Sequence, residues 1–151
     1  MAERSVLFVC VKNGGKSQMA AGLMKQAAGD AVDVHSAGTE PGSSVNALSV
    51  EVLLEVGIDI RKGSPKPLDP QLVSEVDLVI TLGTEATVEQ VPETAFENWA
   101  IDEPSLRGID GIERMRLVRE DISARVTALA ARLRHGVSES DGQDRPRQRR
   151  Y

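Results

Sequence analysis

The one cysteine of the chain, Cys10, opens the run Cys10-Val11-Lys12-Asn13-Gly14-Gly15-Lys16-Ser17. The apolar residues Val6-Leu7-Phe8-Val9 lead into it and an amphipathic stretch follows, so it reads as a strand, a glycine-bearing turn and a helix start. Free backbone N–H groups and the positive end of the helix converge in such a turn and make an anion site. The same field favours a thiolate over a thiol. These residue types in this order can therefore offer one nucleophile to one oxyanion.

Two chemistries compete for the segment. It differs only at Cys10 from the nucleotide-binding pattern G-x-x-x-x-G-K-S, in which Lys16 would meet phosphates and Ser17 and Asp102 would hold magnesium. That reading leaves Cys10 without a task, and a short chain has little room to recognise a base. In the thiolate reading every position is used. Cys10 is the nucleophile, the amides of Val11, Lys12, Asn13, Gly14, Gly15 and Lys16 encircle a tetrahedral oxyanion, and the Lys16 ammonium neutralises it. Ser17, at the helix start, donates a hydrogen bond to the sulfur. Asn13 and the two glycines suit positive φ angles, which turn successive N–H groups inward. The bland alternative is a core cysteine beside an ordinary turn, and the company of Gly14, Gly15, Lys16 and Ser17 speaks against it. His35, His135 and one cysteine, without clustered spacing, give no metal site.

The elements that must position this loop follow from periodicity. Ser5 to Val9 is a buried strand, and Ser17 to Ala28 is a helix with Ala20, Leu23, Met24 and Ala27 on one face before Gly29. Asp33 to Ser36 is a second strand. Ser43 or Ser44 caps a helix carrying Val45, Leu48, Val52 and Val56, with Gly57 as its terminator. Residues 61 to 70 are mostly loop, and Asp69 starts a short helix through Val73. The apolar run Val76 to Leu82 suits the middle of a sheet, and Asn98 to Ile101 is a fourth strand ending at Asp102. Met115, Val118, Ile122, Val126, Leu129 and Leu133 have the spacing of one long amphipathic helix. This order predicts an α/β fold: a doubly wound parallel four-stranded sheet with helices on both faces and its ligand at the carboxyl ends of the strands, where Cys10 and Asp102 both fall.

At 151 residues the chain fits a single domain large enough to bury a core without disulfide or metal. With 18 basic against 23 acidic side chains the net charge is −5, which argues against nucleic acid as the main partner. One cysteine cannot close an internal disulfide, and neither a membrane-length apolar run nor a basic leader with an apolar segment is present. A cytoplasmic protein without a membrane partner is expected. Apolar content collapses from Ser138 onward, so residues 1–137 form the catalytic domain and 138–151, with four arginines, a solvated tail.

Three motifs in this order, over about residues 5 to 135, resemble the low-molecular-weight protein tyrosine phosphatase superfamily: Cys10-x5-Lys16-Ser17, His35-Ser36-Ala37-Gly38-Thr39 and Asp102-Glu103-Pro104. The runs Gly14 to Ala20 and Asp102 to Gly108 are most similar to its arsenate reductases, and among these to the mycothiol-dependent, arsenate-mycothiol transferase branch. The resemblance implies that fold, and Asp102 as the general acid that lets an arsenate oxygen leave as water. Glu103, immediately before Pro104, is the alternative acid. It also implies no bound cofactor, arsenate and mycothiol as substrates, and a glutaredoxin-like mycoredoxin as the partner that releases arsenite.

Departures from the phosphatase pattern sharpen the choice. Phosphatases of this superfamily carry arginine where Lys16 stands, and a point charge does not replace a planar fork. They also place aromatic residues after the aspartate and proline, where Ser105, Leu106 and Arg107 follow here in a chain only 3% aromatic. Thioredoxin-coupled reductases pass oxidation through further cysteines, and this chain has none, so the second thiol must come from outside. Lys12 and Arg107 could widen the positive rim and meet that thiol cosubstrate, although both suit ordinary surface positions. His35 is expected to brace the loop backbone and Trp99 to fill core. A phosphatase of the same fold and a non-catalytic oxyanion-binding protein remain the alternatives.

Overall fold

Val6, Leu7, Phe8 and Val9 are all fully buried, which requires a central strand with layers packed on both sides of it. In the computed structural model, which describes residues 4–135, that strand is β1 (Arg4–Cys10); the expected tail, 138–151, lies outside the described residues. The remaining strands and α-helices are α1 (Lys16–Ala28), β2 (Val32–Gly38), α2 (Ala47–Leu54), α3 (Pro70–Glu75), β3 (Leu78–Leu82), β4 (Ala95–Trp99) and α4 (Gly111–His135). The strands form one parallel sheet in the order β2-β1-β3-β4.

Alternation along β1 divides the core. Val6 and Phe8 face Met19, Ala20, Leu23 and Met24 of α1, Val52 and Leu53 of α2, and Val118, Ile122, Val126 and Leu129 of α4. Leu7 and Val9 face the other way, toward Val79, Val73 of α3, Val76 and Ala86. Helices therefore cover both faces, as expected, with α3 and loop segments making the thinner layer. Arg119 of α4 fastens that helix to α2, donating to the Val52 carbonyl at 2.9 Å and to Glu55 at 2.7 Å. No helix among the described residues is long and apolar enough to cross a membrane.

Several element boundaries differ from the sequence reading. On α1, Ala27 is exposed and Ala28 packs in its place. The cap of α2 is Asn46, whose Oδ1 accepts from the Ser49 amide at 2.9 Å, and neither Ser43 nor Ser44 serves. Val56, beyond the end of that helix, is 39% exposed, while Gly57 does take a positive φ of 83°. Asp77 exchanges hydrogen bonds with Ser5 at the sheet's lower end, so β3 begins at Leu78. The fourth strand runs over Ala95–Trp99, an edge strand whose Glu97 and Asn98 mask its pairing in the pattern. Asn46→Ala is expected to cost about 1 kcal/mol by loss of the helix cap, measured by urea unfolding.

Candidate active site

Cys10 is the last residue of β1 and pairs with Gly38, the last of β2, so both chains leave the sheet side by side. They stay joined beyond it. The carbonyls of Cys10, Val11, Lys12 and Gly14 accept from the amides of Thr39 (3.1 Å), Glu40 (2.8 Å), Gly42 (2.9 Å) and Asn46 (2.6 Å) in turn. Carbonyls that point toward the 39–46 segment turn their N–H groups the opposite way. Among the described residues, the amides of Lys12 to Ser17 donate to no group of the chain. This is the arrangement that an oxyanion can bind.

Only Asn13 takes a positive φ in this loop, at 53°; Gly14 and Gly15 do not, contrary to expectation. Gly14 answers a different need, since a Cβ there would lie 2.9 Å from the Ser44 carbonyl oxygen. Gly38 is constrained in the same way: its Cβ would lie 2.7 Å from the Val11 oxygen and 2.9 Å from the Asn13 Cβ. Close approach of two backbones, more than left-handed geometry, explains these glycines.

Asn13 is completely buried and its side chain organises the site. Its Nδ2 donates to Ser17 Oγ at 2.7 Å, and its Oδ1 accepts from the Lys66 amide at 2.8 Å and from Gln18 Nε2 at 3.3 Å. Gln18 also donates to the Asn13 carbonyl at 3.1 Å and to the Ser64 carbonyl at 3.2 Å. Because Ser17 Oγ already accepts from Asn13, its single hydrogen is free to point at Cys10 Sγ, 2.9 Å away. The nucleophile reading requires that polarity. Cys10 itself is 9% exposed.

Lys16 lies at the helix start, and its Nζ is 2.5 Å from Glu103 Oε1. The other Glu103 oxygen takes Arg114 Nη2 at 3.2 Å. Lys16, and after it Arg114, holds the Glu103 carboxyl below its ordinary value against the opposing effect of burial. Asp102 meets different partners: Arg107 grips both its oxygens, at 2.8 and 2.9 Å, and lowers its carboxyl too. Among the described residues Asp102 makes no ion pair or hydrogen bond to the loop, so Glu103 is the acidic residue that the loop's cation reaches.

Other expectations divide. Lys12 is exposed, and the guanidinium of Arg107 is spent on Asp102. His35 pairs with Asp33 on its own strand at 2.8 Å instead of bracing the loop, because residues two apart on a strand share a face. Trp99 is 7% exposed and packs against Phe8 with ring centroids 5.7 Å apart, as a core residue should. The roles of Gln18, Ser64, Lys66 and Arg114 were missed. Gln18 carried a faint signal, a polar residue on the inner side of α1; Ser64 and Lys66 contribute backbone groups, which side-chain patterns do not reveal. Among the described residues no cluster of histidine, cysteine and carboxylate side chains could hold a metal ion.

A cysteine at the end of the first parallel strand, followed by an amide-lined loop and a helix start, places this chain in a known class. It belongs to the low molecular weight phosphotyrosine protein phosphatase family, whose model matches residues 5–139. Among its relatives, an arsenate reductase of Bacillus licheniformis is 33% identical over 138 residues, covering 86% of this chain and 97% of the relative. Arsenate reductase 2 of Staphylococcus haemolyticus is 31% identical over 135 residues, covering 87% and 100%. Among solved structures, a thioredoxin-dependent arsenate reductase of Corynebacterium glutamicum superposes with a TM-score of 0.76 at 33% identity. That match covers 91% of this chain and 64% of the other.

Proposed function

We propose that the chain is an arsenate reductase in which Cys10 works with a thiol supplied by another molecule. The observation that carries this reading is the Cys10–Ser17 pair at 2.9 Å, on a loop with its carbonyls tied outward, in a chain with a single cysteine. Relatives named as arsenate reductases support the choice of oxyanion. Arsenate would lie against the amides of Val11 to Lys16. The Cys10 sulfur attacks arsenic, and one oxygen takes a proton from the Asp102–Glu103 pair and leaves as water. Asp102 is the donor expected from the motif, and Glu103 is the member of the pair joined to the loop.

An external thiol then takes arsenic from Cys10, leaving a thiol–arsenate adduct with arsenic still pentavalent. Reduction requires a second thiolate to attack the sulfur of that adduct: a disulfide forms, and arsenic departs as arsenite with the electron pair of the broken S–As bond. One cysteine per chain cannot supply both thiols. We assign the first to mycothiol and the second to a glutaredoxin-like mycoredoxin.

Arsenate reduction measured in parallel with mycothiol plus mycoredoxin, glutathione plus glutaredoxin, and thioredoxin plus its reductase tests the assignment. Turnover is expected only with the first pair. Equal turnover with thioredoxin alone would overturn the choice of thiol and leave arsenate reduction standing. Phosphoester hydrolysis is the second reading, favoured by membership of the phosphatase family. An aryl phosphate arm of the same series should show little hydrolysis by the native chain, because Lys16 offers one charge where a fork would hold two oxygens.

A further inference from the structure

We propose that Glu103 is a positioning residue: its carboxylate holds the Lys16 ammonium until an oxyanion takes it over, so oxyanion binding is coupled to proton uptake by Glu103. This rests on the loop being an oxyanion site, the part of the proposed function that the arsenate and phosphate readings share. Lys16 Nζ is 2.5 Å from Glu103 Oε1, with the two side chains 24% and 33% exposed, so the pair is only partly shielded by water. An ammonium on a four-carbon stem is a compact charge that can swing between partners. The loop amides beside Lys16 donate to no group of the chain, so an anion bound at them would compete with Glu103 for the Lys16 ammonium. An oxyanion and a carboxylate that share one ammonium repel each other unless one of the two is neutralised.

The other charges around Glu103 relieve this repulsion only in part. Arg114 of α4 holds Oε2 at 3.2 Å and stays available when Lys16 moves. On the same turn Asp102 is matched by Arg107. Asp121 of α4 is occupied by the Asp102 amide at 2.7 Å and by Arg125 at 2.9 Å. Gly83, where a Cβ would lie 3.7 Å from Lys16 Nζ, brings no side chain. Transfer of Lys16 thus removes the main contact that holds the carboxyl below its ordinary value and adds a negative neighbour. Both changes raise its affinity for a proton, which comes from solvent. Oxyanion affinity accordingly falls as pH rises through the range in which the liganded carboxyl titrates.

Sulfate is the probe, because it stays fully ionised between about pH 5 and 8 and exchanges no proton of its own. Calorimetric titration of the whole chain in two buffers of different ionisation heat should show net proton uptake by the native protein. Glu103→Gln should bind sulfate about tenfold more tightly, with less proton uptake than the native protein and a weaker pH dependence. Equal affinity and equal proton uptake in both proteins would overturn the proposal alone. Sulfate binding to neither would overturn the oxyanion loop itself and the proposal with it. Should Glu103→Gln fail to fold, carbon NMR of the native Glu103 carboxyl decides: an upward displacement of its titration under saturating sulfate supports the coupling, and no displacement refutes it.

Discussion

Cys10→Ser lowers arsenate turnover by about 10⁴-fold or more while sulfate binding survives. Serine keeps the size of the side chain and can still meet Ser17 Oγ, now 2.9 Å from the sulfur, so the loop has no reason to collapse. Its hydroxyl oxygen is a far weaker nucleophile at neutral pH without a base beside it, and it cannot form the S–As bond. The binding groups are amides of the loop, which the exchange leaves in place. Steady-state turnover together with sulfate titration separates the two losses. Retained turnover in Cys10→Ser would remove the sulfur from the mechanism. A native protein that binds oxyanions tightly and shows no thiol-dependent turnover would favour the non-catalytic alternative.

Asn13→Ala destabilises the protein by about 3 kcal/mol, from two independent losses. Alanine at φ 53° has neither the local hydrogen bonding nor the tolerance of asparagine for that region, at a cost of about 1 kcal/mol. It also removes the acceptor of the Lys66 amide and the donor to Ser17 Oγ, at a site completely sealed from water. Leaving such groups unpaired costs roughly 1–3 kcal/mol. Asn13→Gly tolerates the backbone and lacks the side chain, so it should recover about 1 kcal/mol of the loss without restoring turnover. Urea unfolding of the three proteins measures both components. A total loss below about 1 kcal/mol in Asn13→Ala would mean that Gln18 and Ser17 find other partners.

The parts of this molecule that follow local rules were legible in the sequence. The run before Cys10 is continuously apolar and the run through Leu82 mostly so, and both became inner strands. The long helix showed its spacing, and Met115, Val118, Ile122, Val126 and Leu129 are buried as that spacing required. The edge strand did not show itself, because Glu97 and Asn98 interrupt the alternation that would have marked it. At the site, residue types disclosed the cysteine, the loop and the lysine. Asn13 meets Lys66 across 53 residues of chain and Lys16 meets Glu103 across 87, distances at which no periodicity carries information. The glycines show a subtler limit: their presence was readable, but two backbones meeting at Gly14 and Gly38 is a fact of tertiary packing.

The hydrogen bonds from Thr39, Glu40, Gly42 and Asn46 to the carbonyls beside Cys10 bear on how this chemistry could be transplanted. A graft of residues 10–17 into another strand-to-helix crossover would carry the nucleophile and the glycines and leave the outward carbonyls unmatched. The peptide planes would then be free to rotate, and the inward N–H groups would lose their common aim. The smallest portable piece is therefore a three-segment cassette, 10–18 with 38–46 and 64–66, held at the parallel register of Cys10 and Gly38.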